Sequence, residues 1–323
     1  MNNNKLFSNH EFDITENPTL EYNVWLEKSN AFFDGPIWGS VLINGFNVKR
    51  YYIWDKVYTV GRALTVFKKG PLTVGYLGFP IYSQTESENE PYSVDRMLNA
   101  IALMKEKPHL LRLPVSAFSN IHLNIKKYFV ENTIESCITD LCEWNDLKTS
   151  TRRRDLRYAQ KRLIGKNITP DYNISSDEAF NIYNEAIKRN SGKLRYSKKY
   201  FESLTNKTNA PWVSFFSMRE EKHIKSLTIT VRHADTVYYL HGGGTPEALR
   251  AGASDLAMSI AITDAKNKGA KRFNFLSSPE KQPGLIRFKE KWGGESRQAL
   301  TYSIPLTRLG SLIIFVLRIL QKK

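Results

Sequence analysis

The sequence predicts an α/β (α+β) protein with a mixed sheet, built as two similar halves followed by a helix. Each half has the same order of elements: a helix, several strands, a helix, a strand, a helix and a strand. In each half a helix joins two late strands, and parallel neighbouring strands need such a crossover. A run of positive charge follows a strand near residue 147. We therefore expect domains at 1–147 and 148–305, and a C-terminal helix at 306–323.

In the first half, turn residues and apolar periodicity set the limits of the elements. Helices are predicted at 20–28, 94–107 and 117–129, and the second follows the turn residues Pro91 and Ser93. Strands are predicted at 37–43, 48–54, 57–67, 72–79, 109–113 and 133–143.

The second half opens with a basic helix at 151–164 that Gly165 ends. Residues 220–223 form the turn of a predicted hairpin, and residues 241–244 are expected to form a glycine loop. Further helices are predicted at 177–189, 198–204, 254–268 and 285–292. Strands are predicted at 212–219, 224–232, 236–240, 271–276 and 298–304.

Composition limits the classes of function. The chain has 323 residues, 41% of them hydrophobic, and 47 Lys and Arg against 32 acids, a net charge of +15. Such a surface attracts nucleic acid, nucleotide phosphates or an anionic membrane. Cys137 and Cys142 are expected to be reduced core cysteines of a cytoplasmic protein. The histidines have no zinc-binding spacing, so we expect no metal.

The first candidate site is the helix start at Arg250–Asp255, which follows a strand and three glycines. Its small residues Gly252, Ala253 and Ser254 would let a ligand approach the backbone. The free N–H groups and the helix dipole favour an anion such as a pyrophosphate. A plain capped helix is the alternative interpretation.

The second candidate is Lys289, within the segment PGLIRFKEKWGG at 283–294. Phe288 and Trp292 share a helix face with Leu285, and Lys289 is expected to lie off that face. A lysine here could hold a phosphate or stabilise charge on a carbonyl during acyl transfer. The alternative is a solvated lysine on a surface helix.

Two basic segments are candidates for binding an anionic substrate. Arg153, Arg157 and Lys161 repeat at i+4 on the helix at 151–164, opposite an apolar stripe of Leu156, Ala159 and Leu163. Like charges at this spacing repel, so the pattern suggests an anionic partner. Arg195 and Tyr196 lie on a flexible polar loop of the kind that often binds ligands.

The stretch "GGTPEALRAGASDLAMSIAITDAKNKGAKRFNFLSSPEKQPGLIRFKEKWGGE" resembles the GNAT half of the FemABX-like superfamily, the peptidoglycan aminoacyltransferases and their acyl-CoA-using relatives. The matching features are a small-residue helix start, a strand "FNF" and the turn "FKEKWGG". The resemblance covers about 149–303. It implies two tandem GNAT-like domains and a role for Lys289 near the transferred acyl group.

The same resemblance places Gly252, Ala253 and Ser254 at the donor of acyl-CoA users, and the basic helix near an acceptor's phosphates. The pyrophosphate signature of acyl-CoA users, Gln/Arg-x-x-Gly-x-Gly/Ala, is not matched by Arg250–Ala253. Family members that use aminoacyl-tRNA also lack it. Asp255, Tyr196 and Tyr239 are the candidates for the general base.

We therefore expect an N-acyltransferase that moves an acyl group, from acyl-CoA, to an amine of an amino sugar or peptide. The acceptor would be a nucleotide- or lipid-linked cell-envelope or surface-polysaccharide precursor, and the enzyme cytoplasmic or at the inner membrane face. One alternative takes its acyl group from aminoacyl-tRNA. Another is a non-catalytic protein that binds nucleic acid or a membrane. Residues 306–323 would make a peripheral membrane contact, or pack on the second domain.

Overall fold

The computed structural model describes residues 5–83, 90–121, 128–146, 148–189 and 192–321. The chain forms two compact units. Unit 1 comprises Met1–Ile134 and Arg297–Lys323, and unit 2 comprises Glu135–Ser296. The unit limits fall inside the strands β7 (Phe129–Ile138) and β13 (Glu295–Pro305), whereas the sequence suggested limits after these strands.

Unit 1 carries a mixed sheet with the strand order β1-β2-β3-β4-β5-β6-β13. Only β5 and β6 of the described pairs are parallel, and α3 joins them. The last strand, β13, pairs antiparallel with β6, from Leu300 opposite Val115 to Pro305 opposite Leu110. The strands are β1 Lys5–Ser8, β2 Phe12–Thr15, β3 Val48–Asp55, β4 Val60–Lys69, β5 Leu72–Leu77 and β6 Leu110–Val115. The helices are α1 Leu20–Ser29, α2 Pro36–Phe46, α3 Glu90–Leu103 and α10 Arg308–Gln321.

Unit 2 repeats this plan with the strand order β7-β12-β11-β10-β9-β8. Antiparallel β8 to β11 lead through two helices to β12, which pairs parallel with β11. The mixed sheet and the helical crossover confirm the predicted fold class. The strands are β8 Ile168–Asp171, β9 Val213–Glu220, β10 His223–His233, β11 Thr236–Gly244 and β12 Arg272–Ser278. The helices are α4 Ser150–Ile164, α5 Ser176–Arg189, α6 Lys198–Leu204, α7 Pro246–Ala251, α8 Ala253–Asn267 and α9 Pro283–Lys291.

The strand predicted at 37–43 was wrong, since these residues belong to α2. Gly35 is the extended N-cap of this helix, and Pro36 occupies its first turn, where proline is favoured. Trp38, Val41 and Leu42 are buried at the i, i+3, i+4 spacing of one helix face. The run of apolar residues was read as a strand although its burial period is helical.

Other sequence predictions also need correction. Residues 241–244 are the end of β11 and not a loop, and they pair with β10. Cys137 is buried, but Cys142 is exposed in a turn beyond β7. The helix predicted at 117–129 falls partly on residues 122–127, outside the described residues, and Phe129 already begins β7.

Candidate active site

The parallel pairing of β11 and β12 stops partway along both strands. It runs from Thr236 opposite Arg272 to Tyr238 opposite Asn274. The rest of β11, 239–244, and the rest of β12, 275–278, continue without pairing to each other. A break of this kind leaves backbone and side chains accessible at the carboxyl ends of parallel strands, where ligands of α/β sheets bind.

The matching position in unit 1 is closed. There the parallel pairing of β5 and β6 ends at Tyr76 opposite Arg112. The chain then returns to β6: Tyr82 N donates to Pro114 O at 2.7 Å, and Ser116 N donates to Tyr82 O at 3.0 Å. Unit 1 therefore fills the place that unit 2 leaves between its two parallel strands.

A β-bulge lies in β11 at the point where the pairing with β12 ends. Ile229 and Thr230 of β10 are opposite His241 and Tyr239, so Leu240 is the extra residue. Tyr239 packs with α8 residues in one core cluster, whereas His241 packs against Tyr183 of α5 and Tyr200 of α6. In a regular strand, residues two apart point to the same face. Because of the bulge, Tyr239 and His241 lie on opposite faces of the sheet.

Lys289 is buried at this place, with 2% of its surface exposed. Its Nζ donates at 2.6 Å to Leu276 O, in the part of β12 that lies beyond its pairing with β11. Burial lowers the pKa of Lys289 to about 7, although Glu135 acts to raise it. The expected position off the apolar face was wrong: Lys289 and Trp292, three residues apart, are both buried and lie on one side of the helix.

The carbonyl that binds Lys289 belongs to a residue in an unusual backbone conformation. Leu276 has φ +57°, a left-handed conformation that costs a non-glycine residue about 1–2 kcal/mol. Its N–H donates to Asn274 Oδ1 at 2.7 Å, and Asn274 Nδ2 donates to Glu135 Oε1 at 2.7 Å. Both Glu135 and Asn274 are buried. These bonds hold β12 in the shape that presents its carbonyl to Lys289.

Helix α9, which carries Lys289, is anchored beyond its end. Trp292 O accepts from Trp144 Nε1 at 2.8 Å and from Arg152 Nη1 at 3.4 Å. Lys291 Nζ lies 2.9 Å from a carboxylate oxygen of Asp155 and 2.9 Å from one of Asp255. Asp255, one candidate base, is therefore engaged in an ion pair that ties α9 to α4 and α8.

The predicted donor residues at the start of α8 are packed against α4. Gly252 has φ +87°, and a Cβ built on it would lie 2.7 Å from Ala159 Cβ. Ala253 is fully buried, and Ser254 Oγ lies 3.1 Å from Ser226 Oγ. The cavity beside this helix start has a volume of about 250 Å³, and Asp155, Asp255, Arg162 and Arg250 are among its lining residues.

The basic helix has the faces that its sequence predicts. Leu156, Ala159 and Leu163 are buried, whereas Arg153, Arg157 and Lys161 are exposed. Arg152 is instead buried beneath the site, in the bond to Trp292 already described. The three exposed side chains present positive charge to solvent on the helix that packs against the start of α8.

Arg195 and Tyr196 lie beside an aromatic cluster around His241. Arg195 is exposed, and Tyr196 packs edge-to-face on His241, with ring centroids 4.6 Å apart. Tyr200 Oη and His241 Nε2 are 2.9 Å apart. Burial lowers the pKa of His241 to about 3, so its imidazole is neutral at physiological pH.

The two tyrosines proposed as bases keep their protons at neutral pH. Burial raises the pKa of Tyr196 to about 12, and burial raises the pKa of Tyr239 to about 12. Each is suited to donate a hydrogen bond rather than to accept a proton as a phenolate.

A second cavity of about 850 Å³ lies elsewhere in unit 2. Its lining residues come from 172–178, 205–216 and the end of α8, and none belongs to α9, β11 or β12. It is larger than the cavity at the start of α8, and neither cavity is lined by Lys289, Leu276, Asn274 or Glu135.

Sequence reasoning missed Glu135, Asn274 and His241. Asn274 stands inside the "FNF" strand, where a polar residue between two phenylalanines was a usable signal. His241 begins the three-glycine run but was read as part of a loop. Nothing in the sequence near Glu135 indicated that it would be buried beside a strand 139 positions away.

The family model described as "Acetyltransferase (GNAT) domain" matches residues 150–290, the region that holds Lys289 and the start of α8. A structure of FemX is similar over 93% of this chain and 99% of its own, with TM-score 0.64 and 14% identity. Residues 150–290 therefore form a GNAT domain, and the chain as a whole shares the fold of FemX. The GNAT domain makes it an acyl- or aminoacyltransferase, as the sequence predicted.

Other solved structures share this fold. L-PGS from Bacillus licheniformis has TM-score 0.56 at 14% identity, over 95% of this chain and 98% of its own. A tandem GNAT protein from the clavulanic acid biosynthesis pathway has TM-score 0.50 at 8% identity, over 92% and 99%. A search of curated protein sequences found no significant match.

Proposed function

We propose that this GNAT transferase moves an acyl group onto an amine of an amino sugar or peptide in a cell-envelope or surface-polysaccharide precursor, with Lys289 at the transfer site. The observation that carries the proposal is the buried Lys289 beside the segment of β12 that lies beyond its pairing with β11. One N–H of its ammonium bonds to Leu276 O, which leaves two donors for a substrate.

The reaction has a simple balance of bonds. The uncharged amine attacks the acyl carbon of a thioester or ester, a C–N bond forms, and negative charge develops on the carbonyl oxygen. That charge would accept hydrogen bonds from Lys289 in a region of low dielectric, where they are strongest. The C–S or C–O bond then breaks, the leaving group takes a proton, and the amine nitrogen loses one. Holding the two reactants together supplies much of the rate.

Two donors were left open by the sequence, and the geometry at α8 bears on the choice. A CoA pyrophosphate would bind the N–H groups at Gly252, Ala253 and Ser254. Gly252 instead packs against Ala159, and its N–H donates to Leu249 O at 3.1 Å, while Ser254 Oγ lies beside Ser226 Oγ. Part of the space and one of the donors that a pyrophosphate would need are therefore already taken. We therefore favour aminoacyl-tRNA as donor over acyl-CoA for this chain.

The exposed basic residues support a phosphorylated partner with either donor. Arg153, Arg157 and Lys161 would bind phosphates of the acceptor or of tRNA, and Arg195 with Tyr196 would contact the substrate near the His241 cluster. The FemX and L-PGS folds are compatible with an acceptor on a lipid-linked or nucleotide-linked precursor.

One assay tests the transfer and the donor together. The full chain is incubated with nucleotide-linked amino sugars and either radiolabelled aminoacyl-tRNA or acetyl-CoA, and products are identified by mass spectrometry. We expect a product with aminoacyl-tRNA that pre-treatment of the donor with RNase abolishes. A product with acetyl-CoA alone would identify acyl-CoA as the donor. No product with any donor, together with no donor binding by calorimetry, would favour the non-catalytic binding protein.

A further inference from the structure

Helix α10 packs onto unit 1 through one of its two apolar faces. Ile314 is buried with Leu110 and Phe129, and Ile313 and Leu317 pack against the same cluster. A Cβ built on Gly310 would lie 2.0 Å from His109 O, so the helix sits tightly on the backbone. The predicted packing of this helix on the second domain was wrong, because its inner face belongs to the core of unit 1.

The opposite face of α10, which we call the outer face, is also apolar but exposed. Its spacing of three or four residues makes one stripe along the whole helix. A surface helix normally turns polar residues to water, so a continuous apolar stripe indicates a surface that binds something. The outer face consists of Leu309 (38% exposed), Leu312 (57%), Phe315 (60%), Val316 (46%) and Ile319 (45%).

The charge around the outer face indicates what would cover it. Residues 305–323 contain four basic residues and no acidic one. Arg308 and Arg318 are exposed near the two ends of the helix. Basic residues that flank an apolar stripe match an anionic lipid surface, where apolar side chains enter the acyl boundary and cations meet the headgroups. A second copy would instead bring equal charges together.

We propose that the outer face of α10 docks the protein on an anionic membrane surface. The helix would lie in the plane of the interface. Fourteen residues of α10 extend about 21 Å, short of the roughly 30 Å hydrocarbon core. Among the described residues, no helix combines the length and the apolar character that a membrane crossing requires.

Vesicle flotation of the full chain tests the proposal. Two vesicle compositions are compared, pure phosphatidylcholine and an equal mixture with phosphatidylglycerol. We expect the protein to float with the anionic vesicles and to remain below with the neutral ones. The double variant Leu312→Glu/Phe315→Glu should lower the bound fraction at least about tenfold, because it places two anions in the apolar stripe.

A matched control separates the outer face from a general effect of added charge. Leu20 and Val24 are exposed apolar residues on α1 of the same unit, spaced like a helix stripe. Leu20→Glu/Val24→Glu makes the same change in charge and should float as the unchanged chain does. Circular dichroism and thermal unfolding of both variants check that unit 1 is folded. The assay needs neither donor nor acceptor, so its outcome is separate from the proposed transfer.

Three results would overturn the proposal. One is that the unchanged chain does not float with either composition. Another is that the control double variant loses flotation as fully as the α10 variant. The third is a dimer, seen by size-exclusion chromatography with light scattering, that Leu312→Glu/Phe315→Glu dissolves without any vesicle binding. That last result would assign the outer face to a second copy.

Discussion

At the scale of single residues, the environment of Lys289 combines burial with a single carbonyl partner. The low pKa means that near neutral pH the side chain readily gains and loses its proton. Such a lysine is costly to the fold, so its burial in unit 2 supports a function. Glu135 partly offsets this cost, because its charge acts to raise the pKa of Lys289.

Replacing Lys289 tests its role in charge stabilisation. Lys289→Ala should lower kcat by about 100- to 1,000-fold, as loss of one oxyanion donor does, with little change in KM. Steady-state kinetics with the donor and acceptor found in the transfer assay measures this. Lys281→Ala removes an exposed lysine of the same unit and should leave kcat unchanged. An unchanged kcat in Lys289→Ala would remove this residue from the mechanism.

The same lysine should make stability depend on pH. Its pKa is about 7 in the folded chain against an ordinary value of 10.5, so between these values the unfolded chain binds more protons. Stability of the unchanged protein therefore rises with pH in this window. The difference in the free energy of unfolding by which Lys289→Met exceeds the unchanged chain should shrink by about 1.4 kcal/mol per pH unit from pH 7 to 10. A stability difference between Lys289→Met and the unchanged chain that stays constant across this pH range, measured by urea unfolding, would contradict the low pKa of Lys289. Lys281→Met, at an exposed lysine, is the control and should show a constant difference.

Residue-level prediction from the sequence depended on the kind of contact. Lys289 was found through its motif, but its burial was misjudged because the helix face was defined by the apolar residues Leu285, Phe288 and Trp292, and Leu285 is in fact exposed. Glu135 and Asn274 meet across two strands far apart in the chain, and no local pattern carries such a contact. The small size of Gly252 was read as space for a ligand, whereas that space is occupied by Ala159.

At the scale of elements, the contact between α4 and α8 depends on Gly252. Gly252→Ala adds both backbone strain at φ +87° and a clash with Ala159. Gly269→Ala provides a matched control, because Gly269 has φ +73° and nothing within 4 Å of its built Cβ. We expect Gly269→Ala to cost about 1–2 kcal/mol and Gly252→Ala about 1–3 kcal/mol more, by urea unfolding. Equal losses would show that α4 and α8 are not in close contact.

The exposed face of α4 should act on substrate binding. The triple variant Arg153→Gln/Arg157→Gln/Lys161→Gln should raise KM for the phosphorylated substrate about tenfold and leave kcat nearly unchanged, because these side chains position rather than react. Lys207→Gln/Lys222→Gln/Lys281→Gln makes the same change in net charge at exposed positions of unit 2. A similar rise in KM for both triples would mean that general charge, and not the α4 face, attracts the substrate.

The elements that sequence predicted best had strong periodicity and clear ends. The basic helix was placed within one residue of α4, and β3 and α6 were equally close. Apolar runs with few polar residues were the source of error, since the exposed face of α2 carries just two polar side chains, Ser40 and Asn44, a weak signal for a helix. The glycines of β11 were read as a loop, but pairing with β10 holds them extended.

At the scale of the whole molecule, the two units are assembled from the chain in different ways. Unit 2 is one continuous segment, whereas unit 1 needs β13 and α10 from the other end of the chain. The duplication of the strand–helix–strand plan was predictable from element order. The place of β13 in unit 1 was not predictable, because this strand follows the elements of unit 2 without any change in composition.

Separate fragments should show this difference. Residues 135–296 should unfold cooperatively in urea, whereas 1–134 should not, because β6 then loses its pairing with β13, and Leu110 and Phe129 lose their cover from α10. Joining 297–323 to 1–134 through a short glycine–serine linker should restore a cooperative transition, followed by far-UV circular dichroism. A cooperative transition of 1–134 alone would show that β13 is dispensable.

The placement of β13 has a consequence for how the protein is made. A ribosome delivers residues 1–134 of unit 1 before unit 2, yet the strand that covers β6 appears only after unit 2. While unit 2 is being translated, the exposed edge of β6 must be kept from pairing with other chains. The yield of native protein in cells should therefore depend on chaperones that shield unpaired strands. Slower translation of unit 2 would lengthen the interval and should increase that dependence.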